Sequence, residues 1–117
     1  MSDTDHPRPS TKLLALAAMA CRSGPPRLNA DELAAHLVTL PGWTLRGDRI
    51  EKTFSFGNYY ETMAFVNALA WISHRADHHP DLGVHYNRCV VTYSTHTANG
   101  VTINDVICAA QAERLYA

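Results

Sequence analysis

Three helix-capping residues stand just ahead of apolar segments with an acid three positions later: Asn29 with Glu32, Asn58 with Glu61, Thr102 with Asp105. The spacing is that of an N-cap and its reciprocal N3 acid, which satisfy backbone N–H groups that a first helical turn leaves unpaired. Helices are therefore expected to begin near Ala30, Tyr59 and Ile103. The first stops before Pro41-Gly42, and the third runs to the C-terminus. The second is long, with Met63, Val66 and Ala70 on one stripe and Phe65, Leu69 and Ile72 on the next. So wide an apolar arc calls for burial on more than one side, against a sheet and a second subunit.

Between these helices lie two pairs of short alternating segments. Residues 43–46 and 49–56 read as strands around the turn Gly47-Asp48, and 82–86 and 89–95 as a second hairpin. A two-residue turn at Asn87-Arg88 pairs Tyr86 with Cys89 and Val84 with Val91. Leu82, Val84, Tyr86, Cys89, Val91 and Tyr93 then share one apolar face; His85, Thr92, Ser94 and His96 share the other with Gly83 and Val90. The order α-β-β-α-β-β-α predicts an α+β fold, a four-stranded antiparallel sheet with helices packed on one face.

The domain spans residues 29–117. Residues 1–28 form an N-terminal extension, expected to be mobile or weakly helical and ended by Ser23-Gly24-Pro25-Pro26. Its run from Lys12 to Cys21 has the outline of a short secretory signal. However, Asp3 and Asp5 offset Arg8 and Lys12, and the apolar stretch is at the lower limit of length for a signal core. A cytoplasmic location is expected. The cysteines, Cys21, Cys89 and Cys108, are odd in number and lack CxxC spacing, which favours reduced thiols. A net charge of -1 with no basic run argues against direct nucleic-acid binding, and no apolar run is long enough for a membrane span.

Seven histidines are many for 117 residues, and five of them fall between His74 and His96. The hairpin register, continued past the strand ends, sets His79 across from His96 with His78 one residue away. Pro80 interrupts the ladder there and biases His79 away from helical angles, so the second helix ends near Asp77. Residues far apart in sequence thus converge at one end of the sheet.

The stretch His74-Arg75-Ala76-Asp77-His78-His79-Pro80, then Tyr86, Ser94-Thr95-His96, Gly100 and Asp105, resembles the pterin-4a-carbinolamine dehydratases. Fainter likeness includes Leu40-Pro41-Gly42-Trp43 and Ala64-Phe65-Val66-Asn67 and covers most of the chain from about Asn29. His74, Thr97 and Leu82 depart from residues common in that family. The resemblance implies a hydro-lyase that converts 4a-hydroxytetrahydropterin to quinonoid dihydropterin, recycling the pterin of an aromatic amino-acid hydroxylase. It implies His78, His79 and His96 as catalytic residues, His79 and His96 for proton transfer and His78 holding the departing hydroxyl. It implies substrate binding by His78-His79-Pro80 and Thr95-His96-Thr97-Ala98 and a homodimer or tetramer. No cofactor is expected, and no metal, because no ligand set has closed tetrahedral spacing. The chemistry suits these side chains. The reaction needs an acid and a base near neutrality, and histidine, with an ordinary pKa of about 6.5, supplies both forms.

Other readings stand beside this one. His74 and His78, four apart at a helix end, could chelate a metal, but Arg75 takes the place of the Glu in HExxH. Asp105 is explained as a cap, with an orienting role open to it because its helix follows the His96 loop. Asn99-Gly100 is a tight turn. Tyr86 is a core aromatic by face, while His85 and His36 are solvated. The rival function is a non-catalytic dimerisation, assembly or transcriptional coactivator module on the same fold, for which three histidines would not be needed.

Overall fold

The computed structural model describes residues 8–117. All three caps stand at helix starts: α2 spans Ala30–Thr39, α3 Tyr59–Ala76 and α4 Ile103–Tyr116. Asn29 and Glu32 exchange hydrogen bonds, Glu32 N donating to Asn29 Oδ1 at 2.8 Å and Asn29 N to Glu32 Oε1 at 2.9 Å. At α3 the exchange is not reciprocal. Asn58 accepts from Glu61 N at 2.9 Å, but the Glu61 carboxylate reaches one residue further back, to Gly57 N at 2.9 Å. Gly57 permits this because a Cβ there would sit 3.1 Å from Glu61 Oε1.

Four strands, β1 (Thr44–Arg46), β2 (Arg49–Ser55), β3 (Asp81–His85) and β4 (Arg88–Tyr93), form one antiparallel sheet in the order β1-β2-β4-β3. Alternation sends Ile50, Phe54, Cys89, Val91 and Tyr93 to one face, where all are buried beneath the helices. The α+β architecture is the expected one, with helices on one face.

The second hairpin corrects the expected register. The turn is Tyr86-Asn87, one residue earlier than predicted, so Val84 pairs with Cys89 and Leu82 with Val91. Two contacts from outside the hairpin hold it there. Phe56 N donates to Asn87 O at 2.8 Å, and the Thr62 hydroxyl donates to Tyr86 O at 3.0 Å. Because the pairing moves by an even step, every side chain keeps its face. Tyr86 itself is no core aromatic: it stands in the turn at 65% exposure.

The buried stripe of α3 is Thr62, Phe65, Leu69 and Ser73. Its two hydroxyls are satisfied by backbone carbonyls, Thr62 bonding Asn58 O at 2.9 Å as well as Tyr86 O, and Ser73 bonding Leu69 O at 2.8 Å. Met63 and Val66, on the neighbouring stripe, are half-buried, and Ala70 is exposed.

Helix α4 is covered on almost every side. Asn104 through Ala110, with Ala112 and Glu113, are all buried, and the small alanines allow close approach by neighbouring elements. Its outer side is covered by α1 (Thr11–Ala17), a helix capped by the Ser10 hydroxyl, which accepts from Leu13 N at 3.0 Å. Leu13 and Ala17 are buried there; burial of a leucine side chain contributes about 1.5–3 kcal/mol. Residues 11–17 of the extension are thus helical and packed on the domain. Its first seven residues, with Asp3 and Asp5, lie outside the described residues. Among those described, no helix is long and apolar enough to cross a membrane.

Candidate active site

The site is assembled from the end of α3, the start of β3, and the loop joining β4 to α4. Helix α3 stops because Asp77 adopts a left-handed conformation, φ 53°. Asp77 N then bonds His74 O at 3.3 Å and His78 N bonds Ser73 O at 3.2 Å, the paired arrangement that closes many helix ends. Glycine is the usual residue at such a position; an aspartate there carries backbone strain. On the other side, β4 leads through Thr95 into a single 3₁₀ turn, His96–Ala98, closed by Asn99 at φ 55°. Asp77 and Asn99 are the non-glycine residues with positive φ among the described residues. Each bends the chain beside a histidine. Gly100 ends the turn against the Arg27 side chain, which a Cβ would meet at 2.7 Å, so a larger residue would displace that side chain.

His78 is the most constrained of the histidines. Its ring lies parallel to that of Tyr93, at 12° and 6.1 Å between centroids. Its Nε2–H donates to Asp105 Oδ1 at 2.6 Å. The other carboxylate oxygen, Oδ2, accepts from Thr102 N at 2.9 Å and from the Thr95 hydroxyl at 2.8 Å. Asp105 is fully buried. It therefore acts both as a cap of α4 and as the anchor of the His78 ring. A carboxylate offers only acceptors, so the proton of a neutral His78 is held on Nε2 and Nδ1 is left as the lone-pair nitrogen. Burial pushes the Tyr93 phenol above its ordinary range, so the ring under His78 stays uncharged.

His79 and His96 are exposed. His79 makes one long contact, Nδ1 to Pro80 O at 3.4 Å. The shift of register changes which residues face each other: continued past the strand, the pairing sets Ser94, not His96, opposite His79. The three imidazoles nevertheless border one cleft of about 380 Å³. Thr95 and Thr97 line it as well. Pro80 and Ala98 do not. Pro80 lines a neighbouring hollow of about 430 Å³ on the other side of the His78-His79 segment, together with His74 and Leu82. Ala98 sits half-buried in the 3₁₀ turn.

Four further residues line the histidine cleft, and none was selected from the sequence: Asp77, Asp81, Thr92 and Ser94. Asp81 pairs with Thr92 at the first rung of the β3–β4 ladder. A signal for Thr92 and Ser94 was present, since alternation sets them on the same strand face as His96. Alternation carried back from Gly83 sets Asp81 on that face too.

A four-stranded antiparallel sheet with helices on one face and a histidine-lined cleft at its end defines the class of protein. The same fold occurs in a solved transcriptional coactivator/pterin dehydratase from Brucella melitensis, 31% identical, with a TM-score of 0.76 over 78% of this chain and 99% of that one. The family model described as pterin 4 alpha carbinolamine dehydratase matches residues 26–115, and the chain belongs to that family. A Chromobacterium violaceum protein named "Putative pterin-4-alpha-carbinolamine dehydratase" is 61% identical over 80 residues, covering 68% of this chain and 74% of the relative. A second solved structure, a pterin dehydratase-like protein identified as a RuBisCO assembly factor in the alpha-carboxysome, is 25% identical with a TM-score of 0.54, covering 63% of this chain and 86% of that one.

Proposed function

We propose that this chain is a hydro-lyase that dehydrates 4a-hydroxytetrahydropterin to quinonoid dihydropterin. The observation that carries the reading is the convergence of His78, His79 and His96 on one cleft of about 380 Å³, a size within the usual range for small-molecule sites. The family to which the chain belongs supports the same substrate class.

In the proposed reaction one of His79 and His96, as imidazolium, protonates the C4a hydroxyl while the other, neutral, removes the proton from the adjacent ring nitrogen. The C4a–O bond breaks, the nitrogen electron pair forms the C=N bond, and water departs. His78, oriented by Asp105, holds the departing hydroxyl at its remaining ring nitrogen. The two imidazoles finish with their protonation states exchanged. Because both are exposed, solvent resets them between turnovers. Each positioned acid or base contributes about 10²–10⁴-fold.

The proposal extends to a homo-oligomer. Strand β3 is an edge strand, and Leu82 and Val84 on its helix side are 36% and 41% exposed. A second copy of β3 is a natural complement for both the open backbone and the apolar strip. A cytoplasmic setting and supply of recycled pterin to an aromatic amino-acid hydroxylase complete the reading.

The test is a spectroscopic dehydration assay with 4a-hydroxytetrahydropterin. Acceleration over the uncatalysed loss of water supports the enzyme. A well-folded chain that gives none favours the second reading, a docking or assembly module. That alternative draws on the uncovered β3 strip and on the assembly role named for one of the solved relatives.

A further inference from the structure

The segment after α1 meets α4 through two thiols. Cys21 Sγ and Cys108 Sγ lie 3.7 Å apart, across 87 positions of chain. The backbone beside Cys21 is held in place. Arg22 N donates to Asn104 Oδ1 at 3.0 Å, and Asn104 Nδ2 donates to Arg22 O at 2.8 Å. Cys21 Sγ also lies 3.9 Å from Asn104 O. Cys108, one turn further along α4, is 2% exposed, whereas Cys21 is only partly buried.

We propose that Cys21 and Cys108 are a peroxide-responsive dithiol, whose oxidation to a disulfide locks the N-terminal segment onto α4. A disulfide needs the sulfurs at about 2.05 Å, so they must approach by less than about 2 Å. The partly exposed Cys21 side can move to supply this, while α4 stays fixed in the core. Access is one-sided. Cys21 opens on a cleft of about 400 Å³ bordered by Trp71, Arg75 and Arg114, and Cys108 lies behind it. This order sets an accessible thiol in front of a buried partner that can resolve it.

The reaction balances with hydrogen peroxide as oxidant. Cys21, as thiolate, attacks one peroxide oxygen; the O–O bond breaks, the sulfur becomes a sulfenic acid, and the other oxygen leaves as water after protonation. The Cys108 sulfur then attacks the sulfenic sulfur, the S–S bond forms, and the S–O bond breaks with loss of a second water. Two thiols are oxidised by two electrons in all, and one peroxide is reduced to two waters. Burial holds both thiols above their ordinary range, so little thiolate is present and the oxidation is slow. Cys21 precedes residues 26–115, the span matched by the family model.

The test is peroxide treatment of the native full-length chain, followed by thiol counting in denaturant and non-reducing peptide mapping. Free thiols are expected to fall from three to one, with Cys21 and Cys108 joined and Cys89, fully buried in β4, still reduced. The oxidised chain should gain roughly 5 °C or more in Tm, because the bond closes a long loop, and dithiothreitol should reverse the gain. Cys21→Ser avoids altering the core and should form no such bond and show no rise. Retention of all three thiols, Cys21 oxidised to sulfinic acid without a bond, or dimers joined through Cys21 would overturn the dithiol. A Cys21–Cys108 bond with no change in Tm would overturn the lock.

Discussion

His78 Nε2 lies 2.6 Å from Asp105 Oδ1, joining the end of α3 to the first turn of α4 across 27 positions of sequence. One carboxylate thereby sets the ring of a histidine and caps a helix. The two functions use different oxygens: Oδ1 takes the imidazole, and Oδ2 takes Thr102 N and the Thr95 hydroxyl.

Asp105→Asn preserves the shape of that side chain but removes its charge and one acceptor. A hydrogen bond to a charged group is worth about 1.5–3 kcal/mol, so kcat for dehydration should fall roughly tenfold to a hundredfold. KM should change little, because the cleft walls remain. The measurement is steady-state kinetics across pH, with circular dichroism to verify folding. An unchanged kcat would mean that orientation of His78 does not matter to turnover.

His79→Ala and His96→Ala should each lower kcat by about 10²-fold or more while leaving the fold intact, since both side chains are exposed. His74→Ala and His85→Ala should have little effect; these changes separate the cleft residues from histidine density alone. The double change at 79 and 96 should cost less than the product of the singles if one concerted step uses both. Near-normal turnover in both single variants would sink the catalytic assignment.

Leu13→Ala should destabilise the protein by about 2–5 kcal/mol, the ordinary cost of such a cavity in a packed core. Leu13 is 1% exposed and packs in the core cluster through α1. Denaturant unfolding read by fluorescence measures it. A loss under about 0.5 kcal/mol, the range of neutral surface changes, would show that α1 adds little to the domain.

Oligomerisation is expected to depend on β3. Light scattering at micromolar concentration should report more than a monomer for the natural chain. Val84→Lys, which introduces a charge into the uncovered strip, should shift the population toward monomer. A natural chain that remains monomeric throughout would exclude the edge as a self-association surface.

Much of the architecture was legible from local chemistry. Asn29, Asn58 and Thr102 announce helix starts because a cap and its partner lie within one turn of each other, and α2, α3 and α4 begin one residue after them. Strand faces were legible for a similar reason, since alternation is a property of neighbouring residues. The register of the second hairpin was not. Pairing Val84 with Val91 or with Cys89 leaves the same side chains facing the core, and periodicity cannot choose between them.

What only the tertiary structure decided are relationships between distant residues. Thr62 and Phe56, outside the hairpin, select the turn at Tyr86-Asn87. The docking of α1 is of the same kind: a seven-residue helix is marginal alone, and it is the buried contact of Leu13 and Ala17 with α4 that sustains it. At the site, the sequence by itself determined that His78 and His79 leave the end of a helix and that His96 follows a strand. The coupling of His78 to Asp105, and the entry of Asp77 and Asp81 into the cleft wall, depend on packing between elements. Local signals reach about one helical turn or one strand alternation, and the contacts that complete the cleft are longer than either.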